Sequence, residues 1–282
     1  MNIGIIGAGK VGCTLGKFFV QRGNSVVGYY SRSIKSAIEA AHFTQTQALN
    51  HIEEIVDLCD VLFLTVPDRS LVQVFQQIAV MPIKGKYICH CSGALSTREA
   101  FPGIEKTGAF GYSVHPLFAI SDKYHAYEEL TDIFFALEGD SAHLEEIRSL
   151  FDGCRIKTIS SDCKTAYHAA AVMVSNLTLG LMKPAFDLME QCGFTEEEAR
   201  SALAPLALGN LAHVFQKGLQ ESLTGPVERA DGSTISKHLS CLSSEQKEIY
   251  ILLSHILIGI AQKKHPDTDY QNIWNLLKGE KQ

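Results

Sequence analysis

The sequence predicts a doubly wound α/β domain in residues 1–160, followed by an all-α domain in residues 161–282. Before residue 160, short apolar runs alternate with helical patterns, which is the rhythm of βαβ units around a parallel sheet. After residue 162, Ala, Met and Leu dominate and the strand pattern ends. The predicted strands are Ile3–Ile6, Ser25–Tyr30, Val61–Val66, Tyr87–Cys91, Gly108–Val114, Ile133–Leu137 and Ile156–Ile159.

The first element combines a strand, a glycine-rich turn and a helix. The apolar residues 3–6 lead into Gly7-x-Gly9-x-x-Gly12, and a helical pattern follows up to Gln21. Gly7 permits the tight turn, Gly9 lets the backbone approach a pyrophosphate, and Gly12 lets helix and strand pack closely. The helix N-terminus supplies unpaired N–H groups to the phosphates. This context predicts a Rossmann domain with a pyrophosphate site formed by Gly7, Ala8, Gly9, Lys10, Val11 and Gly12.

The end of the second strand indicates which nicotinamide cofactor binds. NAD enzymes usually place an acidic side chain there, which accepts a hydrogen bond from the ribose 2′-hydroxyl. This chain has Ser31, Arg32 and Ser33 instead. An arginine can pair with a 2′-phosphate and stack on adenine, and the two serines add donors, so these residues predict NADP(H). The alternative is a solvated loop arginine.

Three later strands end in small or polar residues. In doubly wound folds, ligands bind at the carboxyl ends of the strands. Val66 and Pro67 are therefore expected beside the cofactor ribose, although a proline that merely ends a strand has the same local pattern. The small residues Ser92 and Gly93 could approach the nicotinamide, and His115 ends the next strand as a candidate orienting residue.

The helical half begins with a long apolar segment from Cys163 to Glu190, with a kink expected at Pro184. It is apolar around its circumference, so we expect it to be buried in the domain centre or in a subunit interface. A homodimer built on the helical domain follows as a hypothesis. Further helices are predicted at Thr195–Gly218, Ile235–Leu239, Ser244–Lys263 and Thr268–Leu277.

A few polar residues on this long helix are candidates for catalysis. At about 100° per residue, Lys164, His168 and Ser175 fall within an arc of roughly 40°, and Asn176 lies about 80° from His168. Lys164 and His168 are the acid/base candidates, Asn176 is an orienting residue and Ser175 is a possible substrate contact. Alternatively, the first two are exposed residues of the first turn, and the other two satisfy local hydrogen bonds.

The segment 223–231 is the turn-rich polar stretch of the helical half. Loops on a rigid scaffold commonly carry function, so Thr224 and Arg229 are possible substrate contacts, with Arg229 as a clamp for a carboxylate or phosphate. The alternative is a helix-connecting loop with a surface Arg–Asp pair.

Composition excludes several function classes. The formal net charge is −6, from 25 basic and 31 acidic residues, which argues against a nucleic-acid partner. The eight cysteines contain no Cys-x-x-Cys pair, so they indicate reduced thiols and no metal site. Cys89-His90-Cys91 cannot converge on a metal because neighbouring strand residues point to opposite faces.

The same composition bears on location. The sequence enters its first strand directly, with no signal-peptide pattern. Its longest apolar stretches, Ala169–Met182 and Ile249–Ala261, fall short of the roughly 20 residues that span a membrane. We therefore expect a cytoplasmic protein with no membrane partner.

Four segments occur in an order typical of a known family: Ser92-Gly93-Ala94-Leu95, His115-Pro116-Leu117, the helix from His168 to Asn176, and Thr224-Gly225-Pro226-Val227. The chain resembles bacterial proteins in which a Rossmann-like domain precedes the domain of unknown function 2520. It is more distantly similar to pyrroline-5-carboxylate reductase, deazaflavin-linked NADP reductases and the 6-phosphogluconate or β-hydroxyacid dehydrogenases. The resemblance implies a helical, dimer-forming second domain like the C-terminal domain of 6-phosphogluconate dehydrogenase.

The β-hydroxyacid dehydrogenases also imply a site. In that family a lysine on the long helix donates the proton, and an asparagine four residues later supports the substrate. Here His168 stands four residues after Lys164, and Asn176 follows two turns later. His168 could take the acid/base role, because histidine is suited to proton transfer near neutral pH.

Together these features predict an NADP(H)-dependent oxidoreductase acting on a small polar carbonyl, hydroxy acid or imine. The alternative from another class is a non-catalytic NADPH-binding sensor or partner protein. A different hydride partner, such as a deazaflavin, remains open at the level of the sequence.

Overall fold

A computed structural model describes residues 1–279 of the chain. The chain divides into two compact units, Met1–Ser175 and a second unit that begins at Asn176. The first unit therefore extends past the predicted boundary at residue 160. It includes a helix from Lys164 to Val174 because the Lys164 side chain is buried against the sheet.

The first unit is built on an eight-stranded sheet. Its order is β3-β2-β1-β4-β5-β6-β7-β8, which is the doubly wound arrangement with the first strand in the interior. The strands are β1 (Asn2–Ile6), β2 (Ser25–Tyr30), β3 (Gln47–Leu49), β4 (Val61–Leu64), β5 (Tyr87–His90), β6 (Phe110–Pro116), β7 (Phe134–Gly139) and β8 (Arg155–Thr158).

Helices cover both faces of this sheet. Successive strand residues point to opposite faces, so Phe63 belongs to one apolar cluster and Leu64 to the other. The first cluster packs under the helix that follows β1, and the second packs under the helix that follows β4. The helices are α1 (Lys10–Gln21), α2 (Ile34–Thr44), α3 (Ile52–Leu58), α4 (Asp68–Ala79), α5 (Thr97–Ala100), α6 (Leu144–Ser149) and α7 (Lys164–Val174).

The sheet differs from the prediction in two respects. β3 was not predicted, because three residues with the sequence Gln-Ala-Leu carry no alternating pattern. The predicted parallel sheet also contains one antiparallel pair, because β7 pairs with β6 in the antiparallel direction, with His115 opposite Ala136. β8 is parallel to β7, so the last two strands run opposite to the other six.

The second unit is helical. Its apolar cluster includes Ile235, Ile258 and Ile273, contributed by three different helices. The helices are α8 (Asn176–Gln191), α9 (Glu196–Lys217), α10 (Leu219–Ser222), α11 (Gly232–Cys241), α12 (Ser244–Lys264) and α13 (Gln271–Gly279).

The long apolar helix is not one element and is not buried in a domain centre. It divides at Ser175 into α7 and α8, whereas Pro184 lies inside an uninterrupted α8. Within α8 no residue is buried. Of the two predicted locations, burial in the domain centre is therefore wrong, and a subunit interface stays a prediction.

The helical stretch Ser161–Gln191 is long and apolar enough to cross a membrane, by length and composition only. The sequence-based expectation that the apolar stretches are too short is thus not met. A single helix of this kind is weak evidence, so the length of this stretch by itself assigns no membrane contact.

Candidate active site

A cavity of about 250 Å³ opens at the carboxyl edge of the sheet, beside the glycine-rich loop. Gly7 has φ +114°, a conformation that favours glycine, and its N–H donates to the carbonyl of Tyr30 at 2.8 Å. The loop therefore turns sharply between β1 and α1. The cavity is lined by Ile6, Gly7, Ala8, Gly9, Tyr30, Ser31, Arg32, Thr65, Val66, Pro67, Ser70, Gln73, Val74 and Gln77.

The other two glycines of the loop serve different purposes. A Cβ atom on Gly9 would meet no atom within 4 Å, so the chain leaves open space beside this residue. A Cβ atom on Gly12 would collide with the carbonyl oxygen of Gly7 and with Thr65 Oγ1. The first turn of α1 carries no acidic side chain, so its unpaired N–H groups and positive dipole end can attract an anion. This loop fits the diphosphate of a dinucleotide.

The residues after β2 separate into two groups. Ser31 and Arg32 line the cavity, and Arg32 is exposed. Ser33 does not line it, because Ser33 is the N-cap of α2 and its hydroxyl accepts a hydrogen bond from the N–H of Ser36 at 3.3 Å. The position of Ser33 therefore does not support its predicted contact with a cofactor.

Ser92 organises the loop after β5. Its hydroxyl donates to Asp68 Oδ2 at 2.8 Å and accepts from the N–H groups of Ala94 and Leu95, at 3.2 and 3.0 Å. Asp68 directly follows Pro67, which lines the cavity. The hydrogen bond therefore ties the cavity wall to the loop that contains Gly93.

Two imidazole rings lie over Gly93. A Cβ atom on Gly93 would be 2.5 Å from His168 Cδ2 and 2.8 Å from His115 Nε2. The two ring centroids are 6.3 Å apart. On its other side, His115 Nδ1 is 2.7 Å from the hydroxyl of Tyr167. The first unit thus brings His115 and His168 together, as predicted candidates, with Tyr167 as a third member.

Lys164 lies deeper than its neighbours on α7. The side chain is 1% exposed, and its ammonium group donates to Ser113 Oγ on β6. Burial lowers the pKa of Lys164, and the negative charges of Glu138 and Asp68 oppose that shift. The alternative that Lys164 is an exposed first-turn residue is wrong.

Glu138 is a buried carboxylate on β7 that bonds to the segment just before α7. It accepts hydrogen bonds from the N–H and hydroxyl of Thr97, both at 2.9 Å, and from Ser161 Oγ at 2.6 Å. A buried carboxylate needs such donors. Glu138 therefore anchors the chain just before α7 to β7 and to the start of α5.

The Cys89-His90-Cys91 segment is part of the protein core. His90 is fully buried, and its Nδ1 accepts from the N–H of Ser92 at 3.2 Å. Burial lowers the pKa of His90 to about 3, so its ring is neutral at physiological pH. Burial raises the pKa of Cys91 to about 12, which disfavours the thiolate that a metal requires. No metal-binding cluster of His, Cys, Asp or Glu is found in residues 1–279.

The remaining predicted residues lie at the end of the first unit or in the second. Ser175 Oγ donates to the carbonyl of Ala171 at 2.8 Å, which is the local hydrogen bond of the alternative interpretation. Asn176 begins α8 and belongs to the second unit. Thr224 lines an apolar cavity of about 410 Å³ between α8, α11 and α12.

Arg229 is exposed and lies near Asp231, the N-cap of α11. Hydrogen bonds from Thr234 and Ser233 lower the pKa of Asp231 to about 2, and the charge of Arg229 adds to this shift. This environment matches the surface Arg–Asp pair of the alternative interpretation.

Several residues of the site were not predicted from the sequence. Tyr167 is next to the predicted residue His168, yet its partner His115 lies 52 positions away in the chain. Gln73 and Gln77 are one helical turn apart on α4, and this spacing is the signal that could have placed both on the cavity wall.

Comparison with known proteins decides the domain content. Residues 1–116 match the Rossmann-like domain family, and residues 133–256 match the domain of unknown function DUF2520. The chain carries a Rossmann-like domain and a DUF2520 domain. The predicted resemblance is therefore confirmed, and the DUF2520 match begins before β7 and ends within α12. No curated protein sequence matches the chain.

Solved structures share this two-part fold. Protein TM1727 from Thermotoga maritima is 25% identical with a TM-score of 0.74, and the alignment covers 93% of this chain and 99% of that one. An imine reductase from Myxococcus stipitatus in complex with NADP⁺ is 17% identical with a TM-score of 0.68, over 98% and 100% of the two chains. A reductive aminase from Aspergillus terreus in complex with NADPH and ethyl-5-oxohexanoate is 15% identical with a TM-score of 0.59, over 97% and 98%.

Proposed function

We propose that this protein is an NADP(H)-dependent oxidoreductase that acts on a small polar carbonyl, hydroxy acid or imine. The observation that carries the proposal is one continuous edge of the first unit. There the loop of Gly7 and Gly9 lines the same cavity as Arg32. The hydrogen bond between Asp68 and Ser92 joins the wall of that cavity to the loop that contains Gly93. The rings of His115 and His168 lie over Gly93. Structures of an imine reductase with NADP⁺ and a reductive aminase with NADPH support the same assignment.

The residues of the cavity have distinct roles in this proposal. The N–H groups at the start of α1 bind the diphosphate, and Gly9 leaves it room. Ser31 and Arg32 bind the phosphate on the adenosine ribose, and Val66 and Pro67 pack beside a ribose. When bound, the nicotinamide supplies or accepts the hydride.

The imidazoles act on the substrate. His115 and His168 stand over Gly93, where a carbonyl or imine would need a hydrogen-bond donor. The ammonium group of Lys164 is hydrogen-bonded to Ser113, on the strand that also carries His115. From this position Lys164 contributes a positive charge to the surroundings of His115. We assign cofactor binding to the first domain and dimerisation to the helical domain.

The cofactor assignment is tested with Arg32→Glu. Because the substitution removes a phosphate partner and adds a like charge, we expect the Kd for NADPH to rise about 100-fold while the Kd for NADH changes less than about threefold. The measurement is titration of cofactor fluorescence. Lys35→Glu is the matched control, since Lys35 is exposed on α2 and does not line the cavity. Equal losses for the two cofactors in Arg32→Glu would contradict the NADP(H) assignment.

The enzymatic assignment needs a separate readout. NADPH oxidation is followed with a panel of small carbonyls and imines, and NADP⁺ reduction with hydroxy acids and amines. An oxidoreductase is supported if the parent protein turns over one of these compounds and if His168→Ala and His115→Gln abolish this turnover without changing the affinity for NADPH. Tight NADPH binding without any hydride exchange would favour the sensor instead.

A homodimer in the cytoplasm completes the proposal. Large apolar side chains of the second unit are exposed in the single chain, among them Leu206 (63%), Leu208 (65%) and Phe215 (80%) on α9. Apolar surface of this kind marks an interaction site. A partner copy of the helical domain is the proposed occupant.

Phe215→Glu tests this interface. We expect a dimer for the parent protein in sedimentation at micromolar concentration, and a shift towards monomer in the variant, because burying an unpaired carboxylate is costly. Leu58→Glu is the matched control, since Leu58 is 50% exposed on α3 of the first unit. A monomeric parent protein would refute the dimer, and a parent protein that requires detergent would refute the cytoplasmic location.

A further inference from the structure

The ring of His115 has two different sides. Its Nδ1 is 2.7 Å from the hydroxyl of Tyr167, and the two rings are perpendicular, at 89°. Its Nε2 faces Gly93, within 2.8 Å of the point where a Cβ would stand. One ring nitrogen is therefore committed to a protein partner, and the other is directed at the loop where the substrate is proposed to bind.

We propose that Tyr167 is a positioning residue that holds His115 in the tautomer protonated at Nε2, so that a neutral imidazole donates a hydrogen bond to the substrate's oxygen or nitrogen. The part concerning the substrate rests on the proposed function. The part concerning the tautomer rests on the Tyr167–His115 contact alone.

The hydrogen-bond inventory determines which group donates. A phenol has one O–H donor, and a neutral imidazole has one N–H donor and one acceptor nitrogen. If Tyr167 donates to Nδ1, then Nε2 carries the proton of His115. In the reverse arrangement the hydroxyl of the half-buried Tyr167 would lose its acceptor, because His115 Nδ1 is its hydrogen-bond partner among residues 1–279. Burial also raises the pKa of Tyr167 to about 12, so the phenol keeps the proton that it donates.

The surroundings keep the imidazole neutral. Burial lowers the pKa of His115 to about 4, and the positive charges of Lys164 and His168 on α7 add to that shift. His90 on the neighbouring strand β5 also faces His115, and no carboxylate contributes to the shift. A neutral imidazole that donates from Nε2 stabilises negative charge that develops on the substrate, without a change in its own protonation state.

The neutral state of His115 has a consequence for the pH dependence of catalysis: the contribution of His115 to the rate should not change as the pH falls. A histidine with its ordinary pKa near 6.5 would change charge within the working range of an enzyme, whereas His115 would not. We expect the Nε2 hydrogen bond of His115 to persist from pH 8 down to about pH 5. Loss of the Tyr167 hydroxyl frees Nδ1 to take the proton, which turns an acceptor towards the substrate.

Tyr167→Phe is the test, because it keeps the ring and removes only the hydroxyl. The protein is labelled with ¹⁵N-histidine, and His115→Gln identifies the His115 signals in long-range ¹H–¹⁵N spectra. We expect protonated Nε2 and unprotonated Nδ1 between pH 5 and 8 in the parent protein, and a mixture of tautomers in Tyr167→Phe. With a substrate, kcat should fall about tenfold, while KM and the Kd for NADPH change less than about threefold.

Tyr124→Phe is the matched control, because Tyr124 is exposed and packs edge-on against Phe43 in the same unit. It should leave the His115 spectrum and kcat unchanged. Protonated Nδ1 in the parent protein, or an unchanged tautomer in Tyr167→Phe, would overturn the proposal. A fixed tautomer in a protein that performs no hydride transfer would refute the enzymatic function and leave the role of Tyr167 standing, so the two failures are distinguishable.

Discussion

Replacing Gly12 with valine is expected to abolish dinucleotide binding and to destabilise the first domain. A Cβ at this position collides with the carbonyl oxygen of Gly7 and with Thr65 Oγ1. Neither can retreat freely, because the Gly7 N–H is bonded to Tyr30 and Thr65 Oγ1 donates to the Gly7 carbonyl at 2.8 Å. We expect a loss of roughly 2–3 kcal/mol in the free energy of unfolding, typical of overpacking, and a rise of at least about 100-fold in the Kd for NADPH.

Gly9→Ala is the matched contrast to this variant. Gly9 has open space around it, so the folded protein accepts the extra methyl group without a collision. The methyl group nevertheless occupies the space that we propose for the diphosphate. We expect a melting temperature within about 2 °C of the parent protein together with weaker NADPH binding. Normal NADPH affinity in Gly12→Val, or in Gly9→Ala, would place the diphosphate elsewhere.

Gly93→Ala is expected to slow hydride transfer on the order of 100-fold while NADPH still binds. The added methyl group would stand 2.5 Å from His168 Cδ2 and 2.8 Å from His115 Nε2, so both rings must move. A displacement of about 1 Å in a catalytic group costs a factor of this size. Side chains can move more easily than backbone, so the fold should persist. Steady-state kinetics and cofactor fluorescence measure the two effects.

The ¹⁵N-histidine signals of His115 and His168 separate crowding from a direct role of the loop. Gly93→Ala should shift both sets of signals, because the new methyl group is in contact with both rings. Slower hydride transfer with unchanged histidine signals would mean that the two rings are not the reason for its effect.

The glycine loop and most strands could be predicted because their signals are local. A strand, three spaced glycines and a helix occupy 20 consecutive residues, and Arg32 follows the next strand directly. The reversed direction of β7 could not be predicted, because the alternation of side chains along a strand is the same in either direction. The pairing of Tyr167 with His115 was equally hidden, since 52 residues separate them.

The long helix shows the limit of a helical wheel. The wheel placed Lys164, His168 and Ser175 on one arc, which assumes a continuous helix and says nothing of depth. In the structure Lys164 is buried, His168 is half-buried, and Ser175 follows the last residue of α7. The wheel predicted a shared face but could not predict that Ser113 and Glu138 lie beneath its first turn.

The reversed direction of β7 and β8 also constrains how the chain enters α7. Because β8 runs opposite to β6, it leads away from the cofactor edge, and α7 runs back towards that edge. Lys164 meets the sheet at Ser113, and Tyr167 meets it two residues further along β6, at His115. The contact of Lys164 with Ser113 therefore fixes the rotational position of α7 against β6. One residue inserted directly after Lys164 would turn the rest of the helix by about 100°, which would move Tyr167 away from His115 and His168 away from Gly93.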